Sequence, residues 1–152
     1  MFMKNLLFII ALSIISFQDF YAQETSDLAS KEKEEKVYDE TRPLDSFVLF
    51  TSCENVSRKE QEQCFKRNLD RIVETHFKYP EEAAKSKIQG RVNVTFRINT
   101  DGSITILDIY TRHKEFEYEA RRIFSFIPKL IPARQDGKKV PLTFTYPIIF
   151  KL

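Results

Sequence analysis

His76 and His113 are the only histidines, and Cys53 and Cys64 the only cysteines, in a chain of 152 residues. These four side chains are the natural places to look for acid–base, metal or redox chemistry. The cysteines are not in a C-x-x-C arrangement, and no histidine lies at ligand spacing from them. No nucleophile motif accompanies the histidines, so an enzyme has little to work with. His76 ends an apolar helical stripe and reads as a half-buried helix terminus. His113 follows Arg112 just before a helix and reads as a surface residue. No catalytic residue, metal site or cofactor is expected.

The chemistry that remains is backbone hydrogen bonding. Residues 140–150 alternate, with Val140, Leu142, Phe144, Tyr146, Ile148 and Phe150 on one face. Pro141 and Pro147 interrupt the other parity, and proline inside a sheet belongs on an edge strand. Backbone N–H groups alternate sides with the side chains. Pro141, Thr143, Thr145, Pro147 and Ile149 therefore share one side, and two of them have no donor. That side is expected to be open, with Thr143 and Thr145 as the donors between the prolines.

The elements that position this strand can be read upstream. Ser57 and Glu60 have capping-box spacing, and Phe65, Leu69, Ile72 and His76 then form one helical face. Pro80 suits the first position of a short helix, Glu81 and Glu82 complement its dipole, and Gly90 is expected to stop it. Val92, Val94, Phe96 and Ile98 alternate as a strand with one buried face. Residues 99–103 read as a hairpin turn with Gly102 at positive φ. The return strand mixes parities, and an extra residue near 105 or 106 would align Ile104 with Leu107 and Ile109. Phe116, Ala120, Ile123, Phe124 and Ile127 mark an amphipathic helix, bordered by Tyr118 and Phe126 and ended by Pro128. Residues 128–133 read as a rigid connector, and Asp136-Gly137 as a turn.

Topology follows. The hairpin strands run up and down, and the helix returns the chain, so the last strand is antiparallel to the first. The fold expected is α+β: a three-stranded antiparallel sheet of order 2-1-3, helices on one face, and an added N-terminal helix.

The start of the chain has the features of an export signal. Lys4 precedes an apolar run over residues 6–17, which as a helix would extend ~18 Å against a hydrocarbon core of ~30 Å. Residues 1–22 read as a signal peptide cut after Ala22, with an uncleaved anchor in the inner membrane as the alternative. Phe20 is a poor residue for the third position before that cut. Export to an oxidising compartment favours a structural disulfide between Cys53 and Cys64. Its loop of about 11 residues would contribute ~3 kcal/mol. Residues 23–43 are polar and read as a flexible linker. Residues 44–76 are an extension and helix pinned by the disulfide, and residues 77–152 the main domain. The formal charge of +2 comes from an acidic stretch before residue 46 and a basic remainder. There is no dense basic run with interleaved aromatics, so nucleic acid is not an expected partner. A small-molecule substrate is not expected either.

The ordered set Tyr79-Pro80-Glu81-Glu82-Ala83, Ile88-Gln89-Gly90-Arg91-Val92, Phe96, Asp101-Gly102-Ser103, Ala120, Pro128-Lys129, Pro132-Ala133, Gly137-Lys138 and Tyr146-Pro147-Ile148 with Phe150 resembles the C-terminal domain of TonB, the periplasmic energy transducer of Gram-negative bacteria. The resemblance implies a periplasmic, non-enzymatic domain. It implies binding to outer-membrane receptors for scarce solutes, whose short extended peptide adds beside the last strand. The implied partner-binding residues are Lys78, Tyr79 and Pro80, with Val140, Leu142, Thr143, Phe144, Thr145, Tyr146 and Pro147. An inner-membrane proton-channel complex is the second partner implied. A full transducer carries a spanning anchor with a histidine and a long proline-rich spacer; here the apolar run is short, has no histidine, and is followed by a short spacer. An exported structural adaptor for other envelope proteins or peptidoglycan is the alternative function, since an open strand edge serves both.

Overall fold

The computed structural model describes residues 39–152. The leader and most of the linker fall outside them, so the signal-peptide reading does too. After a single 3-10 turn at Thr51–Cys53, the elements are α1 (Arg58–His76), α2 (Glu81–Lys85), β1 (Gly90–Ile98), β2 (Ile104–Tyr110), α3 (Lys114–Phe124), β3 (Ala133–Gln135), β4 (Lys138–Val140) and β5 (Leu142–Phe150). Strands β2, β1 and β5 form a three-stranded antiparallel sheet in that order, the expected topology.

The alternation in β1 decides which face is buried. Val92, Val94, Phe96 and Ile98 are fully buried, while Arg91, Asn93, Thr95 and Arg97 lie on the outer face. From α3, Phe116, Ala120, Ile123 and Phe124 close over this inner face, with Phe124 packed edge-on to Phe96 at 5.0 Å. Phe116 stacks on Phe150 at 4.1 Å, which fixes α3 to the end of β5. Burying a side chain of this size contributes ~1.5–3 kcal/mol. The second contribution to the core is α1, through Phe65, Leu69 and Val73. Ile72, expected on that face, is only half-buried, and Val73 takes its place.

Several local expectations are corrected. Ser57 does precede α1, but its hydroxyl donates to the Glu60 carboxylate at 2.7 Å and caps no backbone N–H. Pro80 is the residue before α2, one position earlier than expected. The helix is stopped by Lys87, which takes the left-handed conformation at φ 53°, and Gly90 instead opens β1. There the Phe116 ring lies 3.3 Å from where a Cβ would sit, so the glycine serves packing. Gly102 does adopt positive φ, at 84°. The bulge in β2 is real but falls later than expected. Phe96 pairs with Ile106 and Thr95 with Asp108, so Leu107 is the extra residue. Ile104, Ile106 and Ile109 pack against the core and Leu107 is exposed.

Residues 128–133 are more than a connector. Ala133–Gln135 and Lys138–Val140 form a second, two-stranded sheet around the Asp136-Gly137 turn. Ser46 bridges to Arg134 and Leu49 to Ile131, so the entering segment extends this small sheet. Val140 therefore belongs to β4, and the last strand begins at Leu142. Gln135 is fully buried and ties down the chain entry. Its Nε2 donates to the carbonyls of Asp39 and Arg42 at 2.8 and 3.0 Å, and its Oε1 accepts from Asp39 N at 3.1 Å.

Candidate site: an open strand edge beside a cleft

The site is built on β5. Pro147 stands opposite Asn93 in the ladder and has no N–H to exchange, so this is a non-hydrogen-bonded pair. Alternation makes Thr145 opposite Thr95, Thr143 opposite Arg97 and Ile149 opposite Arg91 pairs of the same kind. The backbone N–H groups of Thr143, Thr145 and Ile149 thus point away from β1. On that side β5 has no neighbouring strand among the described residues. Pro147 blunts this edge at one position, as edge strands commonly do. Pro141 sits between β4 and β5, at the passage from one sheet to the other.

The second wall is α1, which runs beside β5 in the same direction. Phe65 packs on Phe144 at 5.3 Å, the Tyr146 hydroxyl donates to Asp70 Oδ1 at 2.6 Å, and Phe77 packs on Phe150 at 5.0 Å. Between helix and edge lies a cleft of about 700 Å³ near Phe144, with Phe47, Phe65 and Leu69 on its apolar side. A second hollow of about 380 Å³ continues along Glu74 toward Ile148 and Ile149.

The polar pair at the centre of this wall is well defined. Burial comes first in raising the Tyr146 hydroxyl well above its ordinary value, and the hydrogen bond and negative charge of Asp70 add to it. Burial opposes the Asp70 charge, but hydrogen bonds from Lys66 and Tyr146 outweigh it and hold the carboxyl below the usual range. At neutral pH the tyrosine is a fixed donor to a fixed carboxylate, a brace between α1 and β5.

The start of α1 is held covalently. Cys53 and Cys64 are disulfide-bonded with their Cα atoms 6.0 Å apart. Asn68 Nδ2 donates to Cys64 O at 2.9 Å and lies 3.2 Å from Cys53 Sγ. The end of α1 is held by an ion pair. Glu119 is 9 % exposed and accepts from Lys78 N at 2.7 Å and from Arg122 Nη2 at 2.6 Å. Arg122 also donates to the carbonyl of His76. The His76 ring stacks on Phe126 at 3.8 Å.

The structure brings Thr143, Phe144, Thr145, Tyr146 and Pro147 together along one edge. Thr143, Thr145 and Pro147 are exposed, and Phe144 and Tyr146 are half-buried on the α1 side. Leu142 is buried opposite Ile98, and Val140 is buried in the small sheet. Tyr79 packs edge-on to Phe150 at 5.9 Å, and its hydroxyl donates to Ile88 O at 2.5 Å. Lys78 is exposed and Pro80 half-buried beside it. Sequence reasoning missed Asp70, Glu119 and Phe47. Each makes its decisive contact with a distant part of the chain, and only the carboxylates' position beside apolar stripe residues hinted at it. Among the described residues no cluster of three or more His, Cys, Asp or Glu side chains could hold a metal ion, and no helix is long and apolar enough to cross a membrane.

This is an α+β fold in which the last strand of the sheet has an unpaired edge among the described residues. The chain belongs to the TonB C-terminal family: the family model described as Gram-negative bacterial TonB protein C-terminal matches residues 75–152, about half of the sequence. Among solved structures the chain is similar to the NMR solution structure of the Helicobacter pylori TonB C-terminal domain, residues 179–285. The two share 23 % identity over 65 % of this chain and 86 % of that one, with a TM-score of 0.45. No curated protein matches the chain. Apart from its last two residues, α1 precedes the stretch matched by the family.

Proposed function

We propose that this domain works in the periplasm as a TonB-like receptor-binding module. It captures an extended peptide of an outer-membrane receptor by strand addition to the open edge of β5, in TonB-dependent import of scarce solutes. The observation that carries this reading is the ladder register. Pro147 opposite Asn93 directs the amides of Thr143, Thr145 and Ile149 outward. Backbone pairing gives affinity with little demand on sequence, so one module can serve many receptors. Membership of the TonB C-terminal family supports the same reading. Lys78, Tyr79 and Pro80 lie by the Phe150 end of β5 and complete the proposed contact surface. No catalysis and no cofactor enter this function.

The test is Thr145→Pro. It removes one outward donor and leaves the bonds to β1 in place. The exposed contact between the Thr145 and Thr95 hydroxyls, at 3.1 Å, is lost as well, at small cost. Circular dichroism should show a folded protein, and calorimetry with a synthetic receptor peptide should show binding weakened by ~1–3 kcal/mol. Leu142→Pro would instead remove an inward donor opposite Ile98 and should disrupt the sheet. Unchanged affinity of folded Thr145→Pro would show that the peptide does not pair with this edge, and would favour the adaptor reading.

A further inference from the structure

The open edge specifies the kind of chain that can sit there, and α1 specifies more. A strand added beside β5 continues its alternation. Its residues opposite Phe144, Tyr146 and Ile148 would turn their side chains to the α1 side of the sheet, where those three residues point. The residues between them would face solvent with Thr145 and Pro147. Half of the added peptide therefore enters the space between β5 and α1, and the two ends of that space differ chemically.

At the Phe144 end the walls are aromatic. Phe47, Phe65 and Phe144 form a mutual cluster, with centroids 5.3 to 5.8 Å apart, at the side of the 700 Å³ cleft. At the Ile148 end the helix presents the exposed carboxylate of Glu74, one turn beyond Asp70, over the smaller hollow. Both Asp70 oxygens are already engaged, by Tyr146 and Lys66, which leaves Glu74 as the carboxylate offered to a partner there. Phe144 and Ile148 are four residues apart, ~13 Å along a strand.

Resting on the strand-addition reading, we propose that α1 and β5 together form a two-walled specificity cleft. It selects, among extended peptides, those with a large apolar side chain opposite Phe144 and a basic side chain four residues away opposite Ile148. The backbone edge supplies general affinity and α1 supplies the choice. The Asp70–Tyr146 bond and the Phe65–Phe144 contact tie the helical wall to the edge strand, and the disulfide at Cys64 ties the same helix to the entering segment.

The experiment is an NMR titration of the isotopically labelled exported chain with capped heptapeptides. The probes are Thr-Phe-Thr-Ser-Thr-Lys-Thr and its reversed-order counterpart, the tighter of which gives the strand direction. Each is compared with versions in which Phe is replaced by Ala, or Lys by Glu. Amide shifts of Thr143, Thr145 and Ile149 report pairing at the edge. Shifts of Gln63, Lys66 and Glu74 report the cleft. The Phe to Ala change should weaken binding roughly tenfold, and the Lys to Glu change several-fold at low salt. Gln63→Trp, which fills the cleft from the exposed face of α1, should erase the preference for Phe while edge shifts persist. Glu74→Lys should reverse the preference for Lys over Glu. Binding at the edge with no discrimination, or discrimination unmoved by Gln63→Trp and Glu74→Lys, overturns the cleft and leaves strand addition standing. Absence of shifts at Thr143, Thr145 and Ile149 with every peptide overturns both.

Discussion

Replacing Glu119 by leucine should destabilise the domain by about 2–4 kcal/mol, and the structure gives the reasons. The carboxylate is almost enclosed and accepts three bonds: from Lys78 N, from Arg122 Nη2, and from Arg122 Nε at 2.8 Å. Removing one member of a buried ion pair costs ~3–5 kcal/mol when the other charge is trapped. Arg122 is not fully trapped, because its side chain is 35 % exposed and keeps its bond to His76 O. That moves the expectation to the lower part of the range. The Lys78 amide, left without its acceptor in a half-buried place, adds ~1–3 kcal/mol of stranded donor, and leucine recovers part of the loss by apolar contact with Ile123 and Phe116. Glu119→Gln keeps an acceptor for Lys78 N and should cost only about 1–2 kcal/mol. Urea denaturation followed by circular dichroism reads both directly. With a slope of roughly 1–1.5 kcal/mol/M for a domain of this size, the leucine variant should shift the midpoint down by ~2 M with the slope unchanged. A leucine variant within ~0.5 kcal/mol of the parent would refute the reasoning, since the joint between α1, Lys78 and α3 would then be held by packing alone.

Gly102→Ala should be more severe than an ordinary turn substitution. A Cβ there would lie 1.9 Å from the Leu130 carbonyl oxygen at a φ of 84°, so loss of several kcal/mol in thermal unfolding is expected. Thiol labelling of the unfolded, unreduced protein should find no free thiol, and Cys64→Ser should cost about 3 kcal/mol by chemical denaturation. Asp39 is held down to about 2, first by the Thr41 hydroxyl, then by Arg42 and the Thr41 amide. A depressed carboxyl stabilises fully above its ordinary value of 3.8, and the effect is lost as pH falls through the folded value. The Thr41 amide resonance should accordingly titrate with a midpoint near 2, and a midpoint near 3.8 would mean that the Asp39 turn is open in solution.

The large elements were legible because period and parity are local. Val92 to Ile98 could be read as a half-buried strand residue by residue, and Pro147 marked the last strand as an edge before any contact was known, whereas Pro141, expected to mark it too, lies just before β5. Order within the sheet followed from chain direction. What escaped was set by distant partners. Nothing near residue 135 says that this glutamine will be buried against Asp39 and Arg42, 96 and 93 positions away. The β3–β4 hairpin is too short, at three residues a strand, for alternation to show. In β2 the apolar run around Ile106 and Leu107 fixed that a bulge was needed but not which residue it expels; the partner strand decides that. Ser57 and Glu60 had capping spacing, yet spacing alone does not say which way the hydroxyl points. At the site, Thr143 to Pro147 were legible as an edge, whereas the opposing wall was not. Phe65 and Leu69 read in the sequence as one helical face, and that this face flanks the edge strand depends on how α1 crosses the sheet.

The disulfide has a consequence for length. Eleven residues of unbridged chain could be drawn out to ~36–40 Å, but the bond keeps the Cα atoms of Cys53 and Cys64 at 6.0 Å. A pull applied at Asp39 meets the Gln135 hydrogen bonds first, then the short ladder that joins Ser46 to Arg134 and Leu49 to Ile131. Those bonds can open and re-form. Beyond them the covalent bridge removes the slack between Cys53 and Cys64, so the segment entering α1 cannot lengthen into a tether while the bridge is intact. Tension that reaches Cys53 passes into Cys64, on the buried side of α1, and bypasses the first turn of the helix. Reduction would restore those residues as extensible chain, and the same pull would then peel α1 from its first turn.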